Sequence, residues 1–378
     1  MRFLFFLVHP SKFHVFRNTI NTLKKNGHLV DILIISKDVL EDLVKSEGWE
    51  YTNIFPSGRR IKGLPKFFGV FINFFRTLKK LNDYIKIKKY NLFITDDLLV
   101  LIGKIHCIPS FLFQDDDLDV VPETRILFHF TDYILCPIVT NVGPYRHKKI
   151  PFWGYKELGG FHPSVFSPQK SKIKKNIPND RKFFLLRLVS LTAVHDTGKS
   201  GLSNEDVKNL ISILKSRGDV FITSQRALPA ELEEFRLDIS PEDMPHVLHY
   251  AEMLISDSQT MSAEAAVLGT PFIRFNDFVG KISYLSELEE VYHLGIGIKT
   301  KDKSLLFSTV KELTCRSNLK EEWGKKRNLM LSQKVNLSEY LVWLFENYPT
   351  SCSILKKNPK FQRKFIQKNQ TIPPLLLD

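Results

Sequence analysis

The chain of 378 residues is longer than one hydrophobic core usually fills, so we expect two domains. With 43% hydrophobic and 25% charged residues it is a globular sequence, which excludes an intrinsically disordered protein. The net charge of +13 is concentrated in two stretches. Residues 58–90 contain ten basic residues and one acidic residue, and residues 351–378 contain six basic residues and one acidic residue. Such basic stretches suit anionic lipid, nucleic acid or a phosphorylated substrate.

The cysteines and the apolar segments predict a cytoplasmic protein. The four cysteines are widely spaced and form no CxxC or Cys/His cluster, so neither a disulfide framework nor a zinc site is indicated. No apolar run approaches the ~20 residues that a membrane span needs. The apolar run at residues 3–8 is too short for a signal peptide. We therefore expect a protein that is soluble or peripheral on the inner face of the plasma membrane.

The N-terminal segment predicts a βαβ unit. Residues 3–8 are continuously apolar, as in a central parallel strand, and helical spacing over 12–26 precedes a strand over 29–35. His14 lies near the carboxyl end of the first strand, where open α/β sheets bind ligands, so it is a candidate contact for an acceptor or a sugar. A histidine with a local hydrogen bond at a helix start is the alternative. No glycine-rich fingerprint occurs, which argues against a dinucleotide cofactor.

Residues 64–89 predict an unusual helix with phenylalanines on one side and basic residues on its flanks. A basic amphipathic helix with an apolar face can lie in a membrane interface. The alternative is that the phenylalanines belong to the core and the lysines form a solvated face. Both interpretations predict a helix, and they differ in whether the phenylalanines are exposed.

Two predicted strands, 92–95 and 110–113, end in runs of acidic residues. Because parallel strands end at the same edge of a sheet, Asp96, Asp116 and the nearby Glu123 are expected to converge there as catalytic candidates. Acidic loops and helix caps are the alternative. We predict no metal site.

A Gly- and Pro-rich stretch around residues 152–168 indicates a crossing between domains. The predicted organisation is a first domain at 1–153, a linker at 154–169 and a second domain at 170–335. A C-terminal helix at 336–349 and a loosely ordered basic tail at 350–378 follow.

The second half of the sequence again predicts alternating strands and helices. Arg187 lies on a predicted strand over 183–189, and the following loop carries His195 and Lys199 among glycines that allow close approach to a phosphate. The loop lacks Walker A spacing. A helix is predicted to open at Ser240 with a proline in its first turn. It carries two histidines that have no third partner at metal-ligand spacing, His246 and His249.

Residues 254–273 combine a short strand, a polar turn and a helix predicted over Ser262–Leu268. The free N–H groups and the positive dipole at such a helix start form an anion site. Glu264, one turn inside the helix, can accept hydrogen bonds from a ribose diol. The alternative is that the turn residues only cap the helix and Glu264 only favours its dipole.

This stretch resembles the TDSGGxQEEAxxLGxP pattern of non-hydrolysing UDP-N-acetylglucosamine 2-epimerases and the SxxE…LGxP site of the UDP-N-acetylglucosaminyltransferase of peptidoglycan synthesis. The chain is also similar to a GT-B-like prokaryotic family, domain of unknown function 354. The residues that carry this second resemblance are HPSKFHVFRNTINTLKKNGH at 9–28, YKELGGFHPSVF at 155–166, LLRLVSLTAVHDTGKSGLS at 185–203 and ISPEDMPHVLHYAEMLISDSQTMSAEAAVLGTP at 239–271.

The resemblance implies the GT-B fold, two doubly wound Rossmann-like α/β domains facing each other across a cleft. It implies a nucleotide-sugar-dependent glycosyltransferase of cell-surface polysaccharide or glycolipid biosynthesis. One alternative is a 2-epimerase-like enzyme and another is a non-enzymatic sugar-nucleotide-binding protein. We expect no cofactor, since the UDP-linked sugar is a substrate. The expected partners are this donor, a lipid-linked or glycan acceptor and an anionic membrane surface through 64–80 and 351–378, but no nucleic acid.

The resemblance also implies roles for the candidate residues. Asp116 or His14 would deprotonate the acceptor, Glu264 would hold the ribose, and His195 would lie against the nucleotide sugar. The diphosphate would be held by Arg187, Lys199 and the backbone N–H groups of Ser258, Gln259 and Thr260. In the 2-epimerases, motifs GDT, EAG and PEE occupy the places of Asp96, Asp116 and Glu123. Here they are TDD, QDD and PET, which puts epimerase proton transfer in doubt.

Overall fold

The computed structural model describes residues 1–59, 66–177, 181–190 and 200–366. These residues form two compact units. Unit 1 comprises residues 1–160 and 335–365, and unit 2 comprises residues 161–334 with Ile366. The chain passes from unit 1 to unit 2 inside the predicted linker.

The described part of unit 1 contains a sheet of seven strands, and every neighbouring pair is parallel. The strands are β1 (Arg2–Leu7), β2 (Leu29–Ile34), β3 (Thr52–Asn53), β4 (Leu92–Thr95), β5 (Ser110–Phe113), β6 (Tyr133–Pro137) and β7 (Lys149–Phe152). Their order is β3-β2-β1-β4-β5-β6-β7. The chain therefore winds outward in both directions from β1 and β4, and such a switch point opens a crevice at the carboxyl ends of the two strands.

The helices described in unit 1 up to the crossing are α1 (Pro10–Lys25), α2 (Leu40–Ser46), α3 (Lys66–Ile85), α4 (Leu99–Ile105), α5 (Arg125–Phe130) and α6 (Leu158–Phe161), whose last residue belongs to unit 2. The start of α1 is set by the sequence. His9 Nδ1 accepts a hydrogen bond from the Ser11 N–H at 3.2 Å, and Pro10 occupies the first turn, where its missing N–H costs nothing. The apolar stripe predicted on α1 is buried against the sheet.

The described part of unit 2 contains a parallel sheet of five strands, β8 (Phe183–Leu188), β9 (Asp219–Ser224), β10 (Met253–Ser256), β11 (Phe272–Phe275) and β12 (Gly295–Ile298). The order is β12-β11-β10-β8-β9, which places a switch point between β8 and β10. The helices are α7 (Asn204–Leu214), α8 (Ala230–Glu233), α9 (Met244–Tyr250), α10 (Gln259–Leu268), α11 (Ser283–Ser286), α12 (Lys303–Thr314) and α13 (Leu319–Gln333).

The helix predicted to start at Pro241, with Ser240 as its cap, begins instead at Met244, so the predicted start was wrong by three residues. The reason is Pro245. A helix starting at Pro241 would place Pro245 in its interior, where the missing N–H and the ring disrupt the preceding turn. The observed start puts Pro245 in the first turn of α9.

The expectation of a loosely ordered tail was also wrong for residues 350–365. After α14 (Leu337–Glu346), the chain forms α15 (Thr350–Lys357) and a 3₁₀ helix at Pro359–Phe365, all within unit 1. Gln362 is fully buried, accepts from the Trp153 N–H at 3.0 Å and donates to the Pro151 carbonyl at 2.9 Å. A paired buried amide of this kind ties the segment to β7. Residues 367–378 lie outside the described residues.

Candidate functional site

The turn between β10 and α10 forms as a capped helix start. The Ser258 Oγ accepts from the Met261 N–H at 3.2 Å, and the Ser258 N–H donates to the Ser256 Oγ at 2.8 Å. The helix starts at Gln259, three residues before the predicted start, and ends at Gly269, whose positive φ of 80° is the left-handed conformation that favours glycine. Ser258 therefore caps the helix, as the alternative interpretation held, and the cap presents the helix start at the switch point of the sheet.

Arg187 lies beside this turn. The strand register pairs Arg187 on β8 with Ser256 on β10, and the Asp257 N–H donates to the Arg187 carbonyl at 3.3 Å. Gln259, Thr260 and Glu264 are half-buried on α10. The fold thus places the backbone of Arg187, a predicted phosphate ligand, beside the turn where the anion site is predicted. His195 and Lys199 lie outside the described residues.

Asp257 was not predicted as a functional residue, but it organises the switch point of unit 2. Its carboxylate accepts from the Val189 N–H at 2.8 Å and from the Leu202 N–H at 3.3 Å, so it holds two segments that are distant in sequence. A side chain at Gly201 would place its Cβ 2.6 Å from the Asp257 Oδ2, so only glycine allows this approach. Burial raises the pKa of Asp257 to about 6, although the Val189 N–H opposes that rise.

In unit 1, the buried carboxylate of Asp115 lies between two buried lysines beside the switch point of the sheet. Lys12 on α1 donates to the Asp115 Oδ1 at 3.1 Å, and Lys156 donates to the Asp115 Oδ2 in a short hydrogen bond. Each of these residues is less than 8% exposed. Burial opposes ionisation of Asp115, but the attraction of the two lysines outweighs it and holds the pKa of this carboxyl well below its ordinary value. Asp115 is therefore an ionised structural carboxylate.

The two aspartates after β4 have different environments. Asp97 forms a bidentate ion pair with Arg59 at 2.8 and 2.9 Å and also accepts from the Leu98 N–H at 2.6 Å. By contrast, the Oδ1 atom of Asp96 is buried and has no hydrogen-bond partner among the described residues. Burial raises the pKa of Asp96 to about 6, despite the opposing attraction of Lys12. A desolvated carboxyl of this kind at a switch point is typical of a functional acid or base.

The other candidates of unit 1 lie on α1, on a short 3₁₀ helix and after β5. His14 is half-buried on α1, and burial lowers the pKa of its imidazole to about 4, with a further contribution from Arg17. Glu123 is exposed on a short 3₁₀ helix at Pro122–Thr124. Asp116 is half-buried after β5, and its backbone carbonyl accepts from the Gln114 side chain at 3.0 Å.

The two histidines of α9 have structural partners within unit 2. The His246 Nδ1 accepts from the Gln169 N–H at 3.0 Å, and the His249 Nδ1 is 2.9 Å from the Leu268 carbonyl oxygen. Across the residues that the structure describes, no group of three or more His, Cys, Asp or Glu side chains is placed to hold a metal ion.

Sequence comparison leaves the family open. No family model and no curated protein sequence matches the chain, so the resemblance to domain of unknown function 354 stays a prediction.

Solved structures match the fold over almost the whole chain. The S. aureus MnaA–UDP co-structure has a TM-score of 0.68 and 12% identity, covering 93% of this chain and 97% of that one. The Neisseria meningitidis UDP-GlcNAc 2-epimerase bound to UDP-GlcNAc has a TM-score of 0.64 and 13% identity, covering 92% of this chain and 100% of that one. The spinosyn rhamnosyltransferase SpnG complexed with thymidine diphosphate has a TM-score of 0.56 and 14% identity, covering 92% of this chain and 100% of that one.

These similarities define the class of fold. The chain has the GT-B fold, which is shared by nucleotide-sugar epimerases and glycosyltransferases. At 12–14% identity they show the fold alone.

Proposed function

We propose that the protein is a nucleotide-sugar-dependent glycosyltransferase of cell-surface polysaccharide or glycolipid biosynthesis. The observation that carries this proposal is the pair of switch points. The switch point of unit 2 presents the start of α10 beside Arg187, and that of unit 1 presents the desolvated carboxyl of Asp96. The first suits a diphosphate and the second suits a proton acceptor. The UDP and thymidine diphosphate bound by proteins of similar fold support the donor class.

The roles in donor binding follow from charge and position. Glu264 holds the ribose hydroxyls, and the N–H groups at the start of α10 receive the diphosphate together with Arg187 and Lys199. These groups stabilise the negative charge that develops on the nucleoside diphosphate as it leaves.

Asp96 is our candidate for the general base. The acceptor hydroxyl attacks the anomeric carbon, its proton passes to the Asp96 carboxylate, and the bond to the diphosphate breaks with its electron pair on the leaving oxygen. The sequence favoured Asp116 or His14 for this role. Asp96 is preferred because its pKa of about 6 makes it a stronger base at neutral pH than His14, with a pKa of about 4.

Replacing Glu264 with alanine should weaken UDP binding by about 1–3 kcal/mol, the loss expected for a hydrogen bond to a charged group. Isothermal titration calorimetry with UDP measures this loss. Glu205→Ala is the matched control, because Glu205 is an exposed helical glutamate of the same unit on α7. An unchanged affinity in Glu264→Ala would remove the ribose role, and wild-type protein that binds neither UDP nor UDP-sugars would remove the proposed function.

The epimerase alternative requires an acid and a base that remove and return the proton at C2 of the sugar. Of its three strand-end candidates, Glu123 is exposed, and burial raises the pKa of Asp96 to about 6. We therefore expect purified protein in heavy water not to exchange the C2 hydrogen of UDP-N-acetylglucosamine, followed by proton NMR without an acceptor. Deuterium at C2 would establish the epimerase instead. Binding of the donor without transfer to any lipid or glycan acceptor would favour the non-enzymatic alternative.

A further inference from the structure

Helix α3 of unit 1 is apolar on both of its faces. One face, with Leu81 and Ile85, is buried in the core of the unit. The opposite face should be polar in a helix at a protein surface. It instead presents Phe68, Phe71 and Phe75, which are 60%, 59% and 53% exposed. The interpretation of these three phenylalanines as core residues was therefore wrong.

The exposed residues form a continuous stripe. Phe68, Phe71, Ile72 and Phe75 follow the i, i+3, i+4, i+7 spacing that places side chains on one side of a helix. Lys79, exposed one turn further on, extends the same stripe. An apolar patch of this continuity on a protein surface marks an interaction site.

The charge around the stripe is of one sign. Between Glu50 and Asp83 the sequence contains seven Lys or Arg residues and no acidic residue. On the helix itself, Arg76, Lys79 and Lys80 are exposed beside the phenylalanines. An apolar stripe with basic flanks complements an anionic bilayer surface, where aromatic side chains enter the headgroup boundary and cations meet the phosphates. A protein partner would need a surface that is both apolar and acidic.

We propose that α3 attaches the protein peripherally to anionic membranes, with its stripe of Phe68, Phe71, Ile72 and Phe75 in the bilayer interface. No helix in the described ranges is long and apolar enough to cross a membrane, and lying in the interface requires no such length. The same unit also carries exposed basic residues at Lys357, Lys360 and Arg363, which raise its positive charge. The proposal is independent of the enzymatic function, since it rests on α3 and the charge of unit 1.

Vesicle flotation of the full-length protein tests the proposal. Wild-type protein should float with phosphatidylglycerol-containing vesicles at about 0.1 M salt and much less at about 1 M salt. The variant Phe68→Gln/Phe71→Gln/Phe75→Gln should bind at least ~10-fold more weakly, because glutamine keeps the helix but not the apolar stripe. The matched control Val291→Gln/Leu305→Gln removes exposed apolar residues of unit 2 and should float like wild-type protein.

A fluorescent variant makes the test independent of the triple replacement. Phe71→Trp should show a blue-shifted emission when anionic vesicles are added, because its indole leaves water, whereas Leu305→Trp should not. Lack of flotation by wild-type protein, wild-type-like flotation of the triple variant, or an unshifted Phe71→Trp would each overturn the proposal. Equal binding to phosphatidylcholine vesicles in high salt would overturn its electrostatic part, and loss of binding in Lys357→Gln/Lys360→Gln alone would transfer the attachment to the C-terminal segment.

Discussion

Replacing Asp115 with asparagine should lower the free energy of unfolding by about 3–5 kcal/mol, as expected when one partner of a buried ion pair is removed. The two lysines that donate to this carboxylate, Lys12 and Lys156, have side chains only 9% and 7% exposed. Without Asp115, Lys12 loses this buried ion pair, and Lys156 keeps the longer one with the Glu157 Oε1 at 3.9 Å. Urea denaturation at neutral pH, followed by circular dichroism, measures the loss.

Asp31→Asn is a matched control for this prediction. Asp31 also accepts from two cations, Arg2 at 2.7 Å and Lys88 at 2.6 Å, but their side chains are 27% and 37% exposed. Water can therefore solvate the cations that remain, and the loss should be about 1 kcal/mol or less. Similar losses in the two variants would contradict the assignment of Asp115 as the centre of a buried ion cluster.

The pH dependence gives an independent check. Because the pKa of Asp115 is lower in the folded protein than its ordinary 3.8, its stabilisation is present at neutral pH and is lost as the pH falls through the acid range. The difference in stability between wild-type protein and Asp115→Asn should therefore shrink on acidification. A difference that stays constant between pH 7 and pH 3 would indicate that packing, and not charge, causes the loss.

Replacing Asp96 with asparagine should lower the rate of sugar transfer by about 10²–10⁴-fold, the usual contribution of a general base. The rate is measured as release of nucleoside diphosphate, with the nucleotide sugar that the wild-type protein uses as donor. The wild-type rate should rise with pH through about 6, because the carboxylate must be ionised to accept the acceptor proton. Donor affinity should not change, since the binding residues lie in unit 2. An Asp96→Asn variant with the wild-type rate would remove Asp96 from the mechanism.

The same replacement should stabilise the folded protein above pH 6. The pKa of Asp96 is raised from 3.8 to about 6, so the folded protein holds a proton that the unfolded chain releases, and stability falls as the pH rises through this window. Asparagine removes the cost of the buried charge, which corresponds to about 2–3 kcal/mol once the pH is above 6. Thermal denaturation at pH 5 and pH 8 should show the gain at pH 8.

Asp257→Asn distinguishes this effect from a general consequence of a raised pKa. Asp257 also has a pKa of about 6, but its two carboxylate oxygens accept from the Val189 and Leu202 N–H groups. An asparagine has one acceptor oxygen, so one of these buried N–H groups would lose its partner. We expect Asp257→Asn to destabilise the protein at pH 8, whereas Asp96→Asn stabilises it.

The sequence by itself predicted the type of most elements, and its resemblance to known families implied the fold class. The continuous apolar run before His9 and the helical spacing after it predict a buried parallel strand and α1, because burial on both faces requires an unbroken apolar run. The strand, turn and helix around Ser258 were likewise predicted in type, and the start of α10 was misplaced by three residues. These features depend on residues that are close together in the sequence, so local sequence patterns can predict them.

Only the tertiary structure decided which polar groups meet. Lys12 and Asp115 are 103 residues apart and Lys156 is a further 41 along the chain, so no local spacing indicates their cluster. The strand orders, which place Asp96 and the α10 start at switch points, are also long-range properties. Exposure decided the interpretation of Phe71, because helical spacing shows that side chains share a face but not whether that face meets the core or the solvent.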